Sequence, residues 1–209
     1  MSPAEQLAQG IAELGLQVTS EVLSKLNEYL ALIAKWNRVH NLTAVRDSAK
    51  MVSVHALDSL AVAPHLQATS VVDVGSGAGL PGIPLALLWP QSRVVLLDSN
   101  HKKAAFLRQA AIELALKNVE VVCARVEAWQ PAQKFDLVIS RAFSDLPEFL
   151  KLAGALCADG GVVAAMKGVY PDEELAQLPA TFKLVRTVPL KVPGLSAKRH
   201  LVLLSPASA

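Results

Sequence analysis

The chain is poor in cysteine, in aromatic residues and in charge. Its two cysteines, Cys123 and Cys157, are far apart, form no C-x-x-C and sit in apolar surroundings. Two buried free thiols are therefore expected, and neither a disulfide framework nor a metal site. Charged residues make up only 18% of the 209 positions and nearly cancel, leaving +2. A total so small does not announce a nucleic-acid binder, and any such footprint must come from local clustering. No apolar run reaches the roughly 20 residues that a bilayer-spanning helix needs. The first residues also lack a basic stretch followed by an apolar one, so a cytoplasmic protein without a membrane segment is the expectation. With 52% hydrophobic residues the chain is too apolar for disorder and long enough for one sizeable core.

What is present is centred on VVDVGSGAGLPG, Val71–Gly82. A short apolar strand ends near an acid, Asp73, and opens into Gly75, Gly77, Gly79 and Gly82. Glycines in that place let a ligand lie against bare main chain. Gly77, Gly79 and Gly82 fit the dinucleotide spacing G-x-G-x-x-G, but that fingerprint should begin as the strand ends, at Gly75, and counted from there its third position is Leu80. Asp73 would also add negative charge beside a pyrophosphate. A cationic nucleoside without phosphates suits an acid followed by G-x-G-x-G better, which points to S-adenosyl-L-methionine, with Ser76 counted among the loop contacts. Asp98 closes the next apolar strand, RVVLLD, about 20 residues beyond the glycines, where nucleoside-binding folds place the acid that accepts the ribose hydroxyls. NAD would use such an acid too, so Asp98 speaks for adenosine and not for one cofactor.

Before this point the apolar period is helical, over Ala4–Leu14, Ser20–Asn37 with Ser20 as N-cap, and Met51–Val62, where His55, Asp58 and Ser59 interrupt the apolar face. His55 reads as a core histidine. Lys35–Asp47 breaks the period and is basic, either a solvated loop or an edge that meets phosphate or base. Beyond Pro64, strands at Val71–Val74, Val94–Asp98, Val119–Cys123, Phe135–Ser140 and Gly161–Lys167 alternate with helices at Ile83–Leu88, Lys102–Leu116 and Leu146–Leu156. Two further strands near Phe182–Thr187 and His200–Leu204 are expected to pair antiparallel. The rhythm predicts an α/β, Rossmann-like fold, a mostly parallel seven-stranded sheet with helices on both faces (residues 66–209) behind an N-terminal helical extension (residues 1–65). Ligands in such sheets bind at the carboxyl ends of strands, which carry Asp73, Asp98, Cys123–Glu127, Ser140, Arg141 and Lys167. Val126 and Glu127 are placed where an adenine would sit, although Glu127 could equally be a first-turn helix acid.

The fourth strand ends in SRAF, Ser140–Phe143, and lacks the Asn/Asp-Pro-Pro-aromatic run used on exocyclic amines. Methylation of pyrimidine carbon wants a cysteine near the cofactor, yet Cys123 ends the wrong strand and Cys157 reads as lying in a helix. Ribose methylation wants a lysine with an acid, and Arg141 stands where the acid would be. A guanine N7 has a free lone pair and needs only alignment and exclusion of water.

The strings NLTAV (Asn41–Val45), HALDSL (His55–Leu60), DVGSGAGLPGIPLAL (Asp73–Leu87), LLDSNHKKAAFLRQ (Leu96–Gln109), RVEAW (Arg125–Trp129), FDLVISRAF (Phe135–Phe143), MKG (Met166–Gly168) and KRHLVLL (Lys198–Leu204) resemble the ribosomal small-subunit methyltransferase G family, also called glucose-inhibited division protein B. The likeness covers nearly the whole chain. It implies a class I methyltransferase fold and a bacterial cytoplasmic enzyme that methylates N7 of a guanine in 16S ribosomal RNA, leaving S-adenosyl-L-homocysteine. By matching motif it puts cofactor contacts at Gly75, Leu80, Val126, Glu127 and Arg141. Arg141 and Lys167 are expected to position the reactants without acting as a general base, and Asn41, Lys102, Arg199 and His200 to face RNA. A monomer working on the 30S subunit or an assembly intermediate, with no metal and no membrane, completes the expectation.

Overall fold

A computed structural model describes residues 1–143 and 145–207. Strands β1 (Ser70–Val74), β2 (Arg93–Leu97), β3 (Val119–Val122), β4 (Phe135–Ser140), β5 (Cys157–Lys167), β6 (Phe182–Leu190) and β7 (Arg199–Pro206) form one sheet in the order β3-β2-β1-β4-β5-β7-β6. Strands β1 to β5 run parallel to their neighbours, and β7 is inserted antiparallel between β5 and β6. The order reverses between β1 and β4, so a crevice opens at their carboxyl ends.

Apolar runs buried on both faces make the central strands, and helices supply the cover. Helices α1 (Pro3–Glu13), α2 (Ser20–His40), α5 (Gly82–Leu88) and α6 (His101–Glu113) share one apolar cluster, in which Leu26, Tyr29 and Ile33 meet Ile83, Leu96 and Phe106. On the opposite face, α7 (Leu146–Ala153) sets Phe149 and Leu150 against Val72, Val95 and Val163. Two short helices, α3 (Ser48–Met51) and α4 (Asp58–Leu60), flank a π-helical stretch, Val52–Leu57, and α8 (Asp172–Leu175) follows β5.

Several local expectations are corrected. Helix α2 continues to His40 because Asn37, instead of breaking the period, is buried and ties down the next loop. Its amide donates to Val45 O at 3.1 Å and its carbonyl accepts from Thr43 N at 2.9 Å. The helix ends at Asn41, left-handed with φ 48°. Its N-cap is Thr19, whose hydroxyl accepts from Val22 N at 3.2 Å, so Ser20 is the first helical residue. Cys157 opens β5 and is not helical, since a 3₁₀ turn, Gly154–Leu156, ends the preceding helix early. Cys123 is only partly buried, with its sulfur 3.3 Å from His101 Nδ1. The helix expected over Met51–Val62 is regular only at its ends.

Candidate functional site

The glycine loop is built from three sides. Asp73 is fully buried beneath it, and its Oδ2 accepts from Gly82 N at 2.9 Å. A Cβ on Gly82 would overlap Leu96 Cδ2 and stand 2.8 Å from Asp73 Oδ2, so only glycine allows this approach. Asp98 accepts from Gly77 N at 2.8 Å through one oxygen and from Asn100 N at 2.8 Å through the other. From α2, the buried hydroxyl of Tyr29 donates to Ala78 O at 2.6 Å. Ser76 is also inside, with its hydroxyl on Asp73 O at 2.8 Å, and Leu80 has its side chain in the core and its N–H on Ser76 O at 3.0 Å. The loop's partly open main chain is therefore at Gly75 and Gly77. Gly77 has φ 59°, and a Cβ there would meet nothing nearer than Gly75 O at 3.9 Å.

Burial raises the Asp73 carboxyl to about 7, and its Oδ1 has no hydrogen-bond partner among the described residues. An enclosed carboxylate left half-paired under a stretch of bare backbone favours a positive charge nearby. Asp98 keeps acceptor capacity on both oxygens for hydroxyls. These features fit a nucleoside that carries a cationic amino-acid arm. Asp73 itself is an enclosed group beneath the loop and not an open side chain.

A second half of the site adjoins the first where a Cβ on Gly75 would come 2.9 Å from Ala142. Next to Ala142, Arg141 Nη1 donates to Asp58 Oδ2 at 3.0 Å and to Val54 O at 2.9 Å. Arg199 Nε donates to Asp58 Oδ1 at 2.9 Å. Asp58, 1% exposed, thus clamps two guanidinium groups that are themselves partly open. Lys167 Nζ lies 2.7 Å from Glu174 Oε2, which also accepts from Leu146 N. Arg141, Lys167 and Arg199 line a cavity of about 310 Å³ with Val54, Asp58, Met166 and Gly168. A broader cleft of about 750 Å³ continues from Arg141 and Lys167 to Phe143, Tyr170 and α8.

The expected residues do not all converge. His200 faces Lys167 in the β5–β7 register and stacks edge-on with Tyr170 at 5.7 Å. Asn41 and Lys102 lie outside the arginine cavity, at the end of α2 and in the first turn of α6. Val126 begins a 3₁₀ turn, and Glu127 is an exposed first-turn acid 3.6 Å from Arg125. His55 is buried, its Nε2 3.0 Å from Thr43 Oγ1 and its Nδ1 without a hydrogen-bond partner among the described residues, and burial lowers it to about 4. Sequence reasoning passed over Asp58, Glu174 and Tyr29. For Asp58 a signal existed, because a carboxylate on an apolar helical face must find a cation.

The family model described as rRNA small subunit methyltransferase G matches residues 22–202. The chain is 60% identical over 214 residues to the ribosomal RNA small subunit methyltransferase G of Nitrosospira multiformis, covering 99% of each. It is 55% identical to the protein of that name from Laribacter hongkongensis, over 98% of this chain and 99% of that one. In fold it is similar to the O-methyltransferase TomG from Streptomyces achromogenes in complex with SAM, with a TM-score of 0.62 at 20% identity over the full length of both chains. It is also similar to TrmN from Thermus thermophilus, with a TM-score of 0.55 at 24% identity over 73% of this chain and 48% of that one.

Proposed function

The chain belongs to the rRNA small subunit methyltransferase G family, and on that premise we propose that it moves a methyl group from S-adenosyl-L-methionine to N7 of a guanine in 16S ribosomal RNA. The observation that carries this reading is the junction at Gly75 and Ala142, where a nucleoside-binding loop abuts a cavity lined by Arg141, Lys167 and Arg199. When bound, S-adenosyl-L-methionine supplies an electrophilic methyl on a sulfonium centre. Gly75, Gly77 and the Asp98 carboxylate would hold its nucleoside, with Val126 and Glu127 at the adenine edge. Asp73, Ser76, Gly79 and Leu80 keep the loop in shape.

Guanine N7 attacks with its own lone pair, so no proton has to leave in the transfer. The cavity suits that demand. Its buried carboxylate, Asp58, is held on both oxygens by arginines and is not placed as a base. The N–H groups that Arg141 and Arg199 have left can face the O6 edge of a guanine or a phosphate. Lys167, held by Glu174, adds fixed positive charge. Both Arg141 and Lys167 are read as positioning groups. Asn41, Lys102 and His200 extend the RNA edge.

We further read residues 1–65 as an extension of a methyltransferase domain at 66–209. The enzyme is placed in the cytoplasm as a monomer, on the 30S subunit or an assembly intermediate, with a reaction that asks for no metal. Transfer of tritium from labelled cofactor to small-subunit RNA from cells lacking this chain tests the function. Strand scission at the labelled nucleotide under N7-methylguanine chemistry is the expected result, and label on another atom or on protein overturns it.

A further inference from the structure

The positive charge of this chain is gathered away from the arginine cavity. Between Lys35 and Lys50 it carries Lys35, Arg38, Arg46 and Lys50 against Asp47, and α6 carries Lys102, Lys103 and Arg108 against Glu113. These stretches hold formal charges of +3 and +2 in a chain whose total is +2, so the remainder is net negative. All seven cations are exposed except the partly buried Lys103. Helices α2 and α6 lie against one another, and Lys35 and Arg38 on α2 stand near the face of α6 that carries Lys102.

Between those helices runs a groove of about 310 Å³, lined by Lys35, Trp36, Val39, His40, Gln109 and Glu113. Its aromatic side is backed by the core. The Trp36 ring stands edge-on to the buried Phe106 at 5.5 Å, and the exposed His40 ring lies 5.1 Å from Trp36. The wall from α6 is polar, with the Gln109 amide 2.8 Å from Glu113 Oε1, and both groups can meet the edge of a base. Val39 is 74% exposed at the rim, and Ile112, one residue from Glu113, is 72% exposed. On α6, Lys102, Gln109 and Glu113 follow helical spacing and share a face, so the groove leads up to Lys102 and the strand ends.

We propose that this groove takes an unpaired nucleotide of the ribosomal RNA flanking the methylated guanine, its base stacked at Trp36 and His40 and its phosphates on Lys35 and Arg38. The inference rests on the reading of the chain as an rRNA methyltransferase. Surrounding cations, an aromatic floor and amide-bearing walls are what a single strand needs, because every base has a face to stack and every nucleotide a phosphate. The phosphate that every nucleotide carries is the counter-charge that Lys35 and Arg38 beside the ring surface call for.

Steady-state methyl transfer by His40→Ala and Lys35→Ala tests it. Each should raise the KM for RNA by about 10-fold, with kcat and S-adenosylhomocysteine affinity unchanged. Lys35→Ala should also lower the salt slope of RNA binding by about 0.7. An unchanged KM, or a parallel fall in kcat and cofactor affinity, overturns the proposal. A photoreactive benzophenone amino acid at position 39 supplies a readout independent of turnover. Crosslinks to rRNA nucleotides are expected, and crosslinks to ribosomal protein alone, to a second copy of this chain, or to nothing overturn it. Failure of the underlying reading looks different, since the unmodified enzyme would then label no RNA.

Discussion

Arg141 takes the carbonyl that a π-helical turn sets free at Val54. In a regular helix Val54 O would accept from Asp58 N, but that N–H donates to Ser53 O and His55 O, and Arg141 Nη1 occupies the vacated carbonyl at 2.9 Å. The same guanidinium reaches the Asp58 carboxylate, so one irregular turn supplies both anchors of the residue after β4. Asp58→Asn keeps the shape and removes the charge that two arginines share. Because both arginines are partly open to water, a stability loss of about 1–3 kcal/mol is expected, less than for a fully buried pair. Turnover on RNA should fall at least 10-fold while S-adenosylhomocysteine affinity stays as it was. Wild-type turnover in this variant would remove Asp58 from the positioning of Arg141.

The sheet was legible in the sequence because its central strands are short apolar runs separated by helical periods. Phe135–Ser140 was placed to the residue. The π turn was not legible, since Met51–Val62 has the composition of an ordinary amphipathic helix and the group that caps its carbonyl, Arg141, is more than 80 positions away. The same distance hides the arginine clamp, which joins Asp58 to Arg141 and Arg199. Asp73 and Asp98 were found from their places at strand ends. That Asp73 is enclosed, while Asp98 keeps acceptor capacity, follows from how close Gly82 comes to β1, which spacing does not convey.

If Asp73 faces the cofactor's cationic arm as proposed, binding is tied to pH. Burial raises its carboxyl from 3.8 to about 7, so the folded protein without ligand holds a proton there that the unfolded chain has released. The stability due to this group is complete below the unfolded value and is lost as pH rises through about 7. A cationic ligand beside it favours the charged form and expels that proton. Affinity for S-adenosylmethionine should therefore rise between pH 6 and 8, with proton release on binding at pH 6. Calorimetry in buffers of different ionisation enthalpy measures the release, and Asp73→Asn should abolish it.

Two glycines separate fold from ligand. At Gly82 an added methyl meets Leu96 and Asp73, and Gly82→Ala should cost about 1–3 kcal/mol through overpacking. At Gly77 the space is open, although φ of 59° strains any L side chain. Gly77→Ala should fold with a loss of about 1 kcal/mol, and the methyl group would stand where we propose that the nucleoside lies against the main chain. Cofactor affinity should then drop more than 10-fold at Gly77, out of proportion to its melting temperature, with the reverse imbalance at Gly82. Equal ratios of affinity loss to stability loss would show that the open backbone at Gly77 is not the binding surface.

Tyr29 lets the N-terminal helices act on the cofactor loop without touching a ligand. Its hydroxyl reaches from α2 to Ala78 O, a carbonyl between two left-handed glycines. Burial raises the phenol well above its usual range, so it remains a donor at every pH the enzyme meets. Tyr29→Phe would leave that carbonyl buried and unpaired, at a cost of about 1–3 kcal/mol. For a chain of this size the melting temperature should fall by about 2–4 °C for each kcal/mol. A loop freed on this side should bind S-adenosylhomocysteine several-fold more weakly, equally at pH 6 and pH 8, which distinguishes it from the pH-dependent loss at Asp73. The KM for RNA should not change, because Arg141 and Arg199 are held by Asp58 on a different segment and the groove at Lys35, Trp36 and His40 is lined by residues further along α2 that Tyr29 does not join. An unaltered cofactor affinity would mean that Asp73 and Asp98 hold the loop by themselves and that α2 contributes to the core alone.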